Sequence, residues 1–474
     1  MKIGTEIIGT YGKGFLENSG GIRVLHLKGS PYERGYQHGT LLASEITNVI
    51  SDGITGAASV VATALQANIE TGLQKLKEGQ KAAGPYIPPE FREEMTGIAD
   101  GIASKGSPMT LDDVLLWNTM YDSWCFFAHP DPSDPNRPAE RHAYPPGCSS
   151  CSTWGDATQD GSLIMGKNMD NLDLPGILEN RILVISDPDH GFGHANITHP
   201  GMIAIDGGFN EGGIEMMTQY SPSIYETMSG CGIGILSRLI LQYAHTINDA
   251  VNILTVYPRC TGINYHVTDA KVNRAAVIEV SASEAAIRRP EKGTDALWTS
   301  NHYNCYPGWK GYTGKNMVKG QAPVYKLQDI STIEKWQEGI YDPKNDNIAG
   351  AGRFKRYEKL VKENYGRITA EKMMQIMSDR INPDTGEERE WEAPSGGFND
   401  GVTICMFTPL NQYGKQVPFY KNDKKEDISA RFGNLWSLVA VPGSGDFYLA
   451  MQDFPAQRGG YVHFNLKAEL QKTR

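Results

Sequence analysis

Between residues 40 and 80 the apolar positions recur at helical spacing, and two more helical patterns follow at 89–107 and 111–127. Thr110 stands as a plausible N-cap for the last of these, ahead of Leu111-Asp112-Asp113. Upstream, the run IRVLHL predicts a short strand, and GSPYERGYQHG a turn opening into a helix. The first 127 residues therefore read as mainly helical. From Cys148 onward the period changes. SLIMGKNMD, NRILVIS, MIAIDGG, GGIEMMTQYS, GINYHVTD, AAVIEVS and DALWTSN are short strand-like runs separated by Gly, Asn, Asp or Pro. Helices are predicted at 231–254, 353–365 and 370–381, and GVTICMFTP, NLWSLVAVP and DFYLAMQD read as closing strands. Without internal repeats or regular βαβ alternation, this order predicts an α+β protein with antiparallel sheets covered by helices. Between the two halves, residues 129–147 hold six prolines and little that could pack, which predicts an exposed loop open to chain cleavage.

Composition narrows the class. The chain has 474 residues, enough for a large core, and its 40% hydrophobic and 21% charged content is that of a globular protein. A net charge of −10 with no clustered Lys/Arg stripe argues against a nucleic-acid partner. The N-terminal MKIGTEIIGTYGKGF lacks an apolar leader core, and the longest apolar window is too short for a bilayer, so the chain as given reads as cytoplasmic with no membrane partner. Seven cysteines are scattered, and the odd count favours free thiols in a reducing compartment. Cys148 and Cys151 are the one close pair; no second CxxC and no HxxxH accompanies them, so the pattern offers no zinc site. Nucleotide P-loop, HExxH, GxSxG and EF-hand signatures are missing from the sequence.

The chemistry concentrates at YPPGCSSCSTWGDATQDG, where the proline-rich loop stops at Gly147-Cys148 and a run of small hydroxyl and thiol residues begins. A free thiol with a pKa near ~8.5 is a poor nucleophile until a base takes its proton. One solution makes the cysteine the first residue of a chain, so that its own α-amino group, of pKa near ~7.7–8.0, serves as that base. This requires cleavage just before the cysteine. Successive strand residues face opposite ways, so Cys148 and Cys151, three apart, cannot both face one site. Cys148, with the glycine before it, is the favoured nucleophile, and Cys151 is the alternative.

The order of segments resembles the acyl-coenzyme A:isopenicillin-N acyltransferase family of N-terminal-nucleophile hydrolases and, more distantly, bile-salt hydrolases and penicillin V acylases. The resemblance runs through LHLKGSPYERGYQHG, REEMTGIADGIA, LDDVLLWNTMYD, GCSS, DGSLIMGKNMD, DGGFNEGG, WTSNHY and GAGRFKRYEKL. It implies a four-layer αββα sandwich, autoproteolysis between Gly147 and Cys148, and amide chemistry by the freed cysteine. Residues 1–147 would form a helical pro-segment and residues 148–474 the catalytic segment, together a heterodimer of two fragments open to further oligomerisation. Asp170 would orient the freed amino group, Asn301 and the turn at Asn210 would hold the oxyanion, and Arg353 would pair with acidic site groups. Lys167, where the bile-salt branch carries arginine, and His302 are candidate substrate-binding residues. Cys151 lies 19 residues before Asp170, the spacing of the bile-salt branch, and Cys148 lies 22 before it, which asks for a longer turn at GDATQDG. The expected substrate is a small N-acyl or amide compound, with no cofactor and no metal. The alternatives are an acyl-CoA-dependent N-acyltransferase and a phospholipase-B-like lipid ester or amide hydrolase.

Overall fold

The computed structural model describes residues 4–128, 147–172, 176–221, 226–283, 285–304, 351–383, 385–389, 391, 403–409 and 431–474. Most of the proline-rich loop, residues 129–146, lies outside them. The chain opens with β1 (Thr5–Tyr11), β2 (Gly14–Ser19) and β3 (Ile22–Gly29). Five helices follow: α1 (Pro31–Leu41), α2 (Ala43–Ala64), α3 (Ile69–Ala83), α4 (Pro89–Ala103) and α5 (Leu111–Ala128). Next come β4 (Ser149–Gly155), β5 (Gly161–Leu172), β6 (Ile182–Pro188), β7 (His194–Thr198), β8 (Gly207–Asn210) and β9 (Ile214–Tyr220). Helices α6 (Ile233–Tyr243) and α7 (Ile247–Val256) precede β10 (Ile263–Asp269), β11 (Arg274–Val280), β12 (Ala285–Arg288) and β13 (Ala296–Thr299). The remainder is α8 (Ala351–Asn364), α9 (Ala370–Met377), β14 (Phe407–Pro409), β15 (Arg431–Val441), β16 (Asp446–Ala450), β17 (Val462–Asn465) and α10 (Leu466–Thr473).

Two sheets form the middle of the molecule. The first, of ten strands, runs β1-β2-β3-β6-β7-β8-β9-β10-β11-β12; the second runs β13-β4-β5-β15-β16-β17, with β14 also on β15. They face each other where β4 meets β9 and β13 meets β10 and β11. Helices α6 and α7 cover the outer face of the first sheet, and α8 and α9 that of the second. The protein is thus a four-layer αββα sandwich, α+β in class. Strand β4 shows how alternation builds the layers. Ser150 and Ser152 both reach the His266 ring on β10, at 2.8 Å each, whereas the Ser149 hydroxyl lies 2.9 Å from that of Tyr357 on α8. Cys151 points the same way as Ser149, into an apolar cluster with Tyr357, Met373 and Met377.

Several elements differ from the sequence pattern for visible reasons. The hairpin β1–β2 went unpredicted, and β3 pairs in parallel with β6, so the N-terminal segment contributes three strands to the first sheet besides its five helices. The helix expected at 231–254 breaks at residues 244–246, where Thr246 and Asp249 form a capping box that starts α7 afresh. Of MIAIDGG, only the final glycines enter a strand. The N–H groups of Ile203 and Ala204 go instead to the Asn118 side-chain oxygen on α5, at 2.8 and 3.1 Å. The α5 indole of Trp117 likewise donates to the Pro200 carbonyl. No single helix among the described residues is long and apolar enough to cross a membrane.

The N-terminal helices are locked to the sandwich by charge and by close approach. Gly35 of α1 lies so near α4 that a Cβ there would sit 1.9 Å from the Glu94 carbonyl oxygen. Glu94 itself, 2% exposed, takes Arg34 of α1 at 2.6 Å and Arg238 of α6 at 3.2 Å. The two guanidiniums hold its carboxyl down at about 2 against the opposing effect of burial. Removing Glu94 would leave two buried cations without their shared anion. Glu94→Ala is therefore expected to lower unfolding stability by about 3–5 kcal/mol, read as a fall in the urea midpoint. An unchanged midpoint would show that the pair is not what joins these layers.

Candidate active site

The strand register decides which thiol stands among the polar groups. Ser149 pairs with Asn168 and Cys151 with Gly166 across β4–β5, and the turn from Gly155 to Gly161 takes up the extra length. Cys148 consequently lies beside Met169 and Asp170. Its Sγ is 3.4 Å from the Met169 Sδ, and its backbone N–H bonds the Asp170 carboxylate. Cys148 is 4% exposed and has a φ of +143°, a region side chains rarely tolerate, at a cost of about 1–3 kcal/mol. The strain sits at the Gly147–Cys148 peptide.

Arg353, fully buried on α8, organises the surrounding groups. One guanidinium nitrogen donates to the Cys148 carbonyl at 2.9 Å and to Asp170 Oδ2 at 3.2 Å, and the other to Asn301 Oδ1 at 2.7 Å. Guanidinium can only donate, so this bond fixes the orientation of the Asn301 amide. The Asn301 NH₂ is thereby turned towards the Tyr220 carbonyl at 2.7 Å and the Gly147 carbonyl at 3.4 Å. A donor amide thus lies over the carbonyl of the Gly147–Cys148 peptide, the place where negative charge would develop under attack.

Burial dominates the ionisation of the group. It pushes the Asp170 carboxyl up to about 6, although Arg353, the Asn434 amide and Lys167 all work against it. Burial also raises the Cys148 thiol, with Lys167 as the main opposing influence. The Cys151 thiol is raised by burial alone, in the apolar cluster under α8 and α9. The sandwich thus gives Cys148 a nearby cation and a carboxylate, and Cys151 neither.

The structure brings Gly147, Cys148, Asp170, Asn301 and Arg353 together. It does not bring Asn210, whose amide donates to the Leu241 and Ala244 carbonyls at 2.9 and 3.0 Å and accepts from the Ile214 N–H. That turn leads into the start of β9, whereas Tyr220, beside Asn301, is at its far end, roughly 20 Å away at ~3.3 Å per residue. Asn210 ties α6 to the sheet and is not placed to meet an oxyanion at Cys148. Lys167, 0% exposed, donates to the Thr218 carbonyl on β9, acts on the thiol by its charge, and is off the cavity wall. The His302 ring packs on Phe354 and bonds Ser300, and burial lowers it to about 3, so it is neutral and also off that wall. Two contributors escaped the sequence reading. Asn434 of β15 donates to Asp170 Oδ1 at 3.1 Å, and the Tyr220 carbonyl accepts from Asn301. Neither lies in a distinctive motif; only strand pairing brings them in.

A cavity lies beside Met169, which forms part of its wall. It is walled by Trp117, Tyr121 and Trp124 of α5 and by Ile177, His199 and Asp206. A sequence sign of this role is that α5 shows no one-sided apolar stripe, as a helix with neighbours on several faces need not.

A family model described as acyl-coenzyme A:6-aminopenicillanic acid acyl-transferase matches residues 157–393, a span that holds Asp170, Asn301 and Arg353 and begins after Cys148. An uncharacterized protein of Archaeoglobus fulgidus is 32% identical over 78% of this chain and 60% of its own length. Protein dcd1B of Dictyostelium discoideum is 26% identical over 56% of this chain and 51% of its own. The chain thus spans between half and two thirds of the curated relatives it matches. Among solved structures, a mutant conjugated bile acid hydrolase from Clostridium perfringens is 11% identical, with a TM-score of 0.38, over 68% of this chain and 93% of that one.

The electrostatics predict a titration. In Cys148→Ala protein, the Asp170 carboxyl should titrate with a midpoint of about 6, seen by carboxyl carbon NMR. Arg353→Gln removes an influence that lowers this value, so the midpoint should move higher still. A midpoint near ~4, the ordinary aspartate value, would show that the carboxyl is hydrated.

Proposed function

The chain belongs to the acyl-coenzyme A:6-aminopenicillanic acid acyl-transferase family, and on that premise we propose that it is a self-activating cysteine amidohydrolase. The observation that carries this reading is the convergence of Asp170, Asn301 and Arg353 on the strained Gly147–Cys148 peptide. The Cys148 Sγ attacks the Gly147 carbonyl carbon and gives up its proton. Asn301 donates to the oxygen as it gains charge. The C–N bond breaks, the Cys148 nitrogen takes a proton, and a thioester joins Gly147 to the Cys148 sulfur. Water then releases the Gly147 carboxylate, leaving a free thiol and a free α-amino group on Cys148.

The same parts serve an external amide. The α-amino group takes the thiol proton and passes it to the departing amine. Asp170, which already accepts from this nitrogen, keeps it oriented. Asn301 meets the second oxyanion, and Arg353 keeps the amide aimed. Water resolves the acyl-enzyme. Hydrolysis is preferred over acyl transfer because transfer asks for a second acceptor site. Residues 1–147 would remain bound after cleavage, because α5 walls the cavity and β3 belongs to the sheet.

Intact-mass analysis of active protein should find two fragments, residues 1–147 and 148–474. Active protein consisting only of full-length chain would overturn the self-cleavage step. Cys148→Ala should abolish both cleavage and turnover, and Cys151→Ala should leave both largely intact; the reverse pattern would move the nucleophile to Cys151. Asn301→Ala also takes an acceptor from the buried Arg353, so its melting temperature should fall; assayed as pre-cleaved protein well below that temperature, it should lose roughly 10²–10³ in kcat. Near-normal turnover would remove Asn301 from the oxyanion role.

A further inference from the structure

The cavity beside Met169 carries polar atoms that the proposed chemistry does not use. Asp206 lies on its wall, partly buried, and its carboxylate accepts no hydrogen bond from any described residue; only its backbone carbonyl is engaged, by Thr218. The nearby cation, Lys167, is buried, donates to the Thr218 carbonyl and does not line the cavity. The second carboxylate of the cavity, Asp122, is already bonded by Thr261 at 2.6 Å and by the Ile233 N–H at 3.1 Å. His199, also on the wall, holds a further acceptor without a partner. One ring nitrogen donates to the Ile177 carbonyl, while Nε2 is buried without a partner, and burial lowers the ring to about 4, so it is neutral. The remaining walls include Trp117, Tyr121 and Trp124.

An unpaired carboxylate, a neutral nitrogen acceptor and aromatic rings around one cavity suit a single ligand chemistry. A primary ammonium has three N–H donors and a charge that aromatic faces attract. A neutral chain would leave the Asp206 carboxylate without a direct hydrogen bond, with Lys167 acting on it only at longer range, and a carboxylate would meet like charge. Resting on the amidohydrolase reading above, we infer that the cavity selects substrates carrying a protonated primary amine near the scissile amide, with Asp206 as its counter-ion. Asp206 stands across from Thr218, two residues from Tyr220 and so about 7 Å along β9 from the carbonyl bonded to Asn301. That reach corresponds to a short chain between ammonium and amide. Burial holds Asp206 above the usual carboxylate range, with Lys167 opposing; a bound ammonium would oppose it further.

Two substrate pairs test this on mature wild-type protein. The first compares 4-aminobutanoyl with pentanoyl p-nitroanilide, which places the cation on the acyl half. The second compares N-butanoyl-1,3-diaminopropane with N-butanoyl-butylamine, which places it on the amine half. In one pair the cationic member should show a kcat/KM about 10- to 100-fold higher, the range of a hydrogen bond to a charged group. Asp206→Asn should bring that ratio close to one. Equal rates within both pairs, or a preference that survives Asp206→Asn, would overturn the cation site while leaving the amidohydrolase reading intact. If no amide in either pair is turned over, that reading fails and this inference with it. Should Asp206→Asn not fold, the wild-type ratios decide.

Discussion

A guanidinium sealed from solvent is the constraint on which the centre of this protein depends. Arg353 is 0% exposed, and a buried cation is tolerable only where its donors find acceptors of matching geometry. Its bonds reach Asp170 on β5, the Cys148 carbonyl at the entry to β4, and Asn301 just after β13. Asn301 in turn reaches Tyr220 at the end of β9, in the opposite sheet. One side chain from the outer helical layer thus joins both sheets at a single peptide. Because it can only donate, it also dictates which way the Asn301 amide faces.

The space between the sheets is polar for a related reason. The His266 ring sits between two serine hydroxyls, and Gln219 adds a donor to one of them. Burial drives the imidazole far below its ordinary range, so it stays neutral, with one nitrogen donating and the other accepting. Such a layer is poor at gaining burial energy but holds register, since slipping β4 by one residue would turn both serines out of reach. Register is what separates the two candidate thiols. The Cys148 N–H reaches the Asp170 carboxylate, and Cys151 sits in an apolar cluster of aliphatic, methionine and tyrosine side chains.

The N-terminal segment shapes the cavity as well as the scaffold. Trp117 and Asn118 of α5 hold the loop that carries Asp206, diverting its backbone donors from strand pairing. The same helix supplies the aromatic side of the cavity. Glu94 and the parallel β3–β6 pair then fix this segment to the sandwich without needing chain continuity at residue 147.

The sequence alone determined the α+β order, the abrupt change of period at Cys148 and the residue types of the group around it. The first two follow from local periodicity, and the Gly147-Cys148 junction from neighbouring residues, whereas Asp170, Asn301 and Arg353 came from the resemblance of several ordered segments to a family. Strand alternation also said that Cys148 and Cys151, three apart, cannot both face one site, though not which of them does. Only the tertiary structure decided the rest. Asn210 and Asn301 both look like donors in sequence, yet one amide is consumed by the end of α6 and the other lies over the Gly147 carbonyl. Asn434, the Tyr220 carbonyl and the open carboxylate of Asp206 gain their meaning from contacts between segments distant in the chain. Pairing across sheets and burial by other layers set which polar atoms are spent on structure and which stay available, and no local pattern carries that information.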